Sequence, residues 1–329
     1  MRSSRTRQRC VGVAIALGCL FGPAAPAFSQ IFLPPKGVGS VTTVVQQGLI
    51  IYHLIPDEEV ERGSIRWNTV FVDFTYGLSD KFAMSVTLPW VRSVYRGEFP
   101  HCQDPEVTTP QDCPKGSLGL DDQAYHGAIQ DIRAAVLYAL KKHGMAITPF
   151  VGAIIPSHHY AYFNHSAPGR RLFEVEAGAG IARVLDPVVP DAYVQARYAF
   201  GRPQRVLDLS HNRSSLSVEA GYVIKRSLQV FARADGQYTH GGLDCEAKPR
   251  CGFKEWEKWS HHDQIGREHY LQVGIGAAYP VTDSLGVFAS VVRAVAGHNG
   301  HEIDYLWSVG ASKTIGKAVP PRTSTAGGQ

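Results

Sequence analysis

The chain has 329 residues, 44% hydrophobic and 19% charged, with 33 basic and 29 acidic side chains. Four of the basic residues, Arg2, Arg5, Arg7 and Arg9, lie in the first ten positions; the rest of the chain carries 29 of each sign, which withdraws the basic footprint that nucleic-acid binding needs. No later run of 18 apolar residues exists, which excludes a transmembrane helix.

Residues 1–29 read as a secretory signal peptide. A basic start is followed by the short apolar run "VGVAIALGCLF" and a small-x-small cleavage site at Ala27-Phe28-Ser29. Cys19 would serve a lipoprotein reading, but Ala16 stands where a larger aliphatic residue is needed.

From residue 30 onward the recurring signal is alternation. "LFEVEAGAGIARV" puts Phe173, Val175 and Ile181 on one face and Glu174 and Glu176 on the other. "AYVQARYAF" sets Val194, Tyr198 and Phe200 against Gln195 and Arg197, and "SLSVEAGYVI" sets Leu216, Val218 and Tyr222 against Glu219. "LQVFARADGQY" and "YLQVGIGAAY" continue the pattern. A period of two over ten or so residues means strands with one apolar and one polar face.

Strands of about 10–13 residues suit a tilted membrane crossing better than a soluble sandwich. Aromatics near the ends of apolar faces (Tyr76, Trp90, Tyr138, Tyr222, Tyr279) suit interfacial girdles. Tight connections, at 77–82, 140–145, 185–191, 224–228 and 281–285, alternate with polar ones at 54–65, 96–126, 157–171, 201–213, 239–268 and 296–301. The expectation is an all-β transmembrane antiparallel barrel of about 12 strands over residues 30–316, with short periplasmic turns and long outer loops. Strands are expected near 40–53, 66–78, 81–95, 127–140, 145–156, 172–184, 191–200, 214–224, 228–238, 269–280, 285–295 and 302–314, and a disordered periplasmic tail over 317–329. Segments 145–156 and 285–295 are apolar on both faces, so their registers stay open.

Four hairpin segments carry a family resemblance: "YGLSDKFAMSVTLPW" (76–90), "GAIQDIRAAVLYAL" (127–140), "GYVIKRSLQVFARADGQY" (221–238) and "AYPVTDSLGVFASV" (278–291). Together they resemble the outer-membrane family named for meta-pathway phenol degradation. The sequence departs from that pattern at Gln130, where the family has Gly before the Asp, and at Pro156-Ser157-His158, where it has Pro-Thr-Gly. The resemblance implies passage of small, hydrophobic or aromatic molecules across the Gram-negative outer membrane. The implied partners are outer-membrane lipids, a small-molecule solute and the barrel-assembly machinery, with no nucleic acid and no cofactor.

Asp73, Asp131, Arg133, Glu174, Glu176, Arg197, Glu219, Arg233 and Asp235 all fall on lumen-facing positions. They would set the selectivity of an open pore or pair with one another inside a filled one. Cys102 with Cys113, and Cys245 with Cys251, have neither zinc nor redox spacing; in an oxidising compartment each pair reads as a local disulfide in an outer loop.

Thirteen of the 14 histidines fall on outer loops or outer strand ends. "SHHYAYFNH" and "WSHHDQIGREH" are His-rich, but their spacings match no fixed ligand motif, so no metal site is assigned. The alternative function is a non-conducting barrel whose His-rich outer loops bind a surface partner or metal. A lipid-hydrolase reading would use His211 and Ser214 of "SHNRSS", but i, i+3 spacing turns them to opposite faces of a strand, so no catalytic residue is expected.

Overall fold

A computed structural model describes residues 31–54, 58–142, 144–224, 228–246 and 250–316. The proposed signal segment and tail lie outside the described residues, as does His143. The strands are β1 (Gly39–Leu54), β2 (Glu59–Gly77), β3 (Phe82–Arg96), β4 (His126–Ile129), β5 (Ile132–Tyr138), β6 (Leu140–Lys142) and β7 (Met145–Ile155). They continue as β8 (Glu174–Val184), β9 (Ala192–Pro203), β10 (His211–Ile224), β11 (Leu228–Gly241), β12 (His269–Thr282), β13 (Leu285–His298) and β14 (Gly300–Ile315). β4, β5 and β6 are successive pieces of one wall strand between β3 and β7. Every neighbouring pair is antiparallel, and β1 closes on β14 from Gly39↔Ile315 to Leu54↔Gly300. The result is a closed barrel of twelve wall strands. Pairing of β1 with β14 removes the two free edges that an open sheet would present, the condition for crossing a hydrocarbon layer with strands.

The apolar faces point outward. Val136, Val151, Ile275 and Val295 are each more than half exposed, and Val175, Val218, Val273 and Val291 on the same outward face are exposed too. On β7 and β13, whose registers the sequence leaves open, Val151, Ile155, Val291 and Val295 face out while Phe150, Ile154 and Phe288 are buried. Tyr222 and Tyr279 are exposed near strand ends, consistent with interfacial aromatics, whereas the exposed Trp90 lies in the middle of β3.

Two segments expected as outer loops are strand. β2 begins at Glu59 rather than near residue 66, because "EVERGS" is polar yet stays paired with β1. Gly63 absorbs the irregularity: its φ is +101°, and a Cβ there would sit 2.5 Å from the Arg96 carbonyl. Likewise β13 and β14 run through most of 296–301 and meet in a tight turn at Asn299. In both places the wall rises past the apolar band, so the pairing continues while the alternation fades.

The interior is packed. Phe71, Phe231 and Phe288 meet Val44 and Ala278, while Phe150, Leu137 and Ala199 form a second cluster joined by Leu33. At the end carrying the short turns, segment 31–38 folds into the barrel. Ile31 is buried, its carbonyl accepts from Thr148 Oγ1 at 2.6 Å, and at the end of β2 the Gly77 carbonyl accepts from Gly37 N–H while Gly77 N–H donates to the Val38 carbonyl, each at 2.9 Å. Gly180 is the socket for this residue: a Cβ there would lie 2.6 Å from Ile31 Cγ1.

Candidate functional site: the charged interior and a histidine chamber

The charged residues singled out in the sequence lie on the face opposite the outward apolar one, and most are paired. Glu174 is buried between Arg213, which it contacts closely, and Arg170 at 3.7 Å. Glu176 meets Arg197 at 3.5 Å, and the Arg197 guanidinium lies 4.1 Å above the Phe150 ring. Glu219 accepts from Tyr193 Oη and Gln195 Nε2, each at 2.7 Å. Asp73 accepts from Thr87 Oγ1 at 2.6 Å, and Arg233 grips Asp235 through two bonds. Arg133 is exposed. Mixed signs on adjacent strands offset one another, so the interior carries charge pairs rather than a ring of one sign.

Asp131 has a further task. It accepts from the hydroxyl of Tyr160, a buried residue of loop 156–173. Beside it, Gln130 Nε2 donates to the Pro168 carbonyl, and Ser157 Oγ donates to the Ile129 carbonyl. The gap between β4 and β5 is thus the place where the loop docks inward. It coincides with Gln130 and Pro156-Ser157-His158, the positions that depart from the family pattern.

At the long-loop end, loops 97–125, 156–173 and 242–268 form a cap. Asp121, 2% exposed, is its knot: the carboxylate accepts from the backbone N–H groups of His101, His165 and Ser166 and from Ser166 Oγ, at 2.9–3.2 Å. Burial pushes this carboxyl above its ordinary range against the pull of His101 and those donors. Loop 242–268 carries two short helices, α1 (Trp256–Ser260) and α2 (His262–Ile265), and joins the cap through Gln264 Nε2 donating to the Arg170 carbonyl at 2.7 Å. Both cysteine pairs, Cys102 with Cys113 and Cys245 with Cys251, are at disulfide distance within this cap.

Beneath the cap is a chamber of about 340 Å³ lined by His53, His101, His165, His262 and His301 together with Asp263 and Glu268. The residues come from β1, β14 and all three loops. His53 and His301 are cross-strand partners, His165 hangs from its loop with Nδ1 3.2 Å from His53 Nε2, and His101 Nδ1 lies 3.4 Å from Asp263 Oδ2. His165 and His101 are nearly in ring contact, with centroids 3.8 Å apart. Burial, reinforced by the surrounding histidines, pulls the His165 imidazole well below its ordinary range; burial likewise takes His262 down to about 4. Both are neutral at pH 7. Burial pushes Asp263 up, but His262 and His101 outweigh it and hold the carboxyl at about 2, ionised.

Spacing in the sequence assigned no ligand set. His158 and His159 are exposed, and His261 stays with Gln264 and Tyr162, while the chamber takes one member from each His-rich stretch plus three isolated histidines. His211 is buried away from Ser214, whose Oγ instead lies 2.8 Å from His240 Nε2 and 3.0 Å from Tyr198 Oη on the outward face. Ser214 is paired in the ladders to both β9 and β11.

No known family profile matches the chain, and no curated protein sequence matches it. Among solved structures it is similar to an outer-membrane channel from Pseudomonas putida F1, with TM-score 0.62 and 12% identity over 86% of this chain and 97% of that one. It is more distantly similar to the NanC porin, with TM-score 0.47 and 9% identity over 83% and 100%. At such identities the likeness is one of fold: the chain has the architecture of the outer-membrane β-barrel channels.

Proposed function

We propose that the protein is a channel of the Gram-negative outer membrane that passes small molecules, narrowed at both ends in the conformation described. The observation that carries this reading is the closed barrel whose outward face is apolar and whose inward face holds charged pairs. Segment 31–38 narrows the short-turn end, and loop 156–173, docked on Gln130 and Asp131, narrows the other. Inward phenyl rings at Phe71, Phe150, Phe231 and Phe288 favour apolar or aromatic solutes over bulk ions. That agrees with what the hairpin resemblance implies, and the partners in this reading are outer-membrane lipids, a small solute and the barrel-assembly machinery.

Planar-bilayer conductance and liposome swelling with refolded protein test it. Small, defined conductance steps with swelling by small aromatic solutes are expected. No conductance and no swelling, including after removal of residues 31–36, would sink the channel reading and leave the capped barrel as a binding module.

A further inference from the structure

We infer that the chamber beneath the cap is a binding site for a divalent transition-metal ion of the Zn²⁺ or Cu²⁺ class, held by the imidazoles of His53, His165 and His301. The adjoining set of His101, His262 and Asp263 is a second position in the same chamber. This inference stands independently of the channel reading.

Geometry is the first argument. Each set brings three ligand atoms within 4.8 Å of one another, and His101, Asp121 and His165 connect the two sets. Tetrahedral bonds of about 2.0–2.1 Å put neighbouring ligand nitrogens about 3.3 Å apart. His53 Nε2 and His165 Nδ1 are already 3.2 Å apart.

Tautomers are the second. His165 Nε2 is 3.0 Å from the Phe99 carbonyl, which can only accept, so Nε2 carries the proton and Nδ1 presents its lone pair to the chamber. His262 Nδ1 is 2.6 Å from the Trp259 carbonyl, so its lone pair is on Nε2, beside Asp263. A ring nitrogen that donates to a backbone carbonyl fixes and orients the ligating nitrogen opposite it. Two histidines in one chamber are held this way. His301 Nε2 is buried and makes no hydrogen bond. When an ion binds, the proton on His53 Nε2 moves to Nδ1 and the hydrogen bond to His165 is exchanged for two metal bonds.

Donor chemistry is the third. Imidazole with carboxylate suits borderline cations; hard Mg²⁺ and Ca²⁺ prefer all-oxygen shells, and the nearby cysteines are tied in disulfides and offer no thiolate. Asp263 adds a carboxylate beside the imidazoles, 3.4 Å from His101 Nδ1 and 3.2 Å from His262 Nε2. An ion at the first position joins β1, β14 and loop 156–173, and so fastens the cap to the barrel seam.

The test is Zn²⁺ titration calorimetry on full-length, tag-free protein in detergent micelles, paired with Co²⁺ substitution read by visible absorption. Wild type is expected to bind Zn²⁺, and to give intense four-coordinate Co²⁺ bands. His165→Ala and His301→Gln are expected each to weaken Zn²⁺ by more than about tenfold and to abolish those bands. The exposed pair His158→Ala/His159→Ala is expected to leave both unchanged. Heat-modifiable gel migration confirms that each variant keeps its barrel. Absence of Zn²⁺ binding in the wild type would overturn the inference, as would binding lost in the exposed pair but retained in His165→Ala and His301→Gln.

Discussion

His53 and His301 face each other across the seam where the first strand closes on the last, their rings 4.5 Å apart and inclined at 65°. Barrel closure itself makes this pair. A one-residue slip of β1 against β14 would break the opposition and turn residues from the inner to the outer face. The rest of the chamber assembles over this seam, because His165 and the loops from other parts of the wall reach it only when the ring is complete.

Segment 31–38 is predicted to limit conduction. Replacing Gly180 by Val drives side-chain atoms into the space of Ile31, which already lies 2.6 Å from where a Cβ would be. Displacement of the segment is expected to raise single-channel conductance several-fold, and Ile31→Asp is expected to do the same by burying an unpaired charge. Conductance equal to wild type in both variants would show that the segment does not restrict the pore.

Asp121→Ala removes the acceptor of four hydrogen bonds and leaves three backbone N–H groups without it. A loss of roughly 3–5 kcal/mol in cap stability is expected, since single bonds to charged groups contribute about 1.5–3 kcal/mol. Hydrogen exchange over 97–125 and 156–173 should accelerate while wall amides and heat-modifiable migration stay as in wild type. Unchanged exchange in both loops would remove Asp121 from its role as the knot.

Glu174→Gln should be costlier to the barrel than a surface change. It leaves Arg170 and Arg213 close together with their shared carboxylate gone. Breaking one side of a buried ion pair costs about 3–5 kcal/mol. A lower temperature for loss of the folded gel band is expected, together with a reversal potential shifted toward anions.

Acid should loosen the cap of metal-free protein. His262 titrates at about 4 in the folded chain and near the ordinary 6.5 when released, with burial as the main cause. The released form therefore binds the extra proton first. Stability is lost as pH falls from about 6.5 to about 4, by up to about 3 kcal/mol from this residue; His165 shifts the same way, while the carboxyls of Asp121 and Glu268, pushed up by burial, act in the opposite direction and offset part of the loss. With chelator present, loop exchange should quicken across that window, and His262→Gln should flatten the response. A cap whose protection rises on acidification would contradict it.

The wall was legible because its code is local. In "LFEVEAGAGIARV" the inward and outward faces can be assigned from neighbours two apart, and the structure keeps that assignment. The same rule failed where the wall leaves the apolar band, at Glu59–Ser64 and around Asn299, since polar residues on both faces carry no alternation. Alternation also gives no reason for a glycine at 180, which makes room for Ile31.

By itself the sequence determined a period-two barrel wall, its alternation of short and long connections, and local cysteine pairing, because each depends on residues near one another in the chain. Only the tertiary structure decided which histidines meet. His53 and His301 are 248 positions apart and become neighbours through ring closure, and His101, His165 and His262 reach them on three loops drawn together by Asp121 and Gln264. Ligand convergence of that kind leaves no spacing to read, since the distances that matter are set by closing the sheet and folding the cap over it.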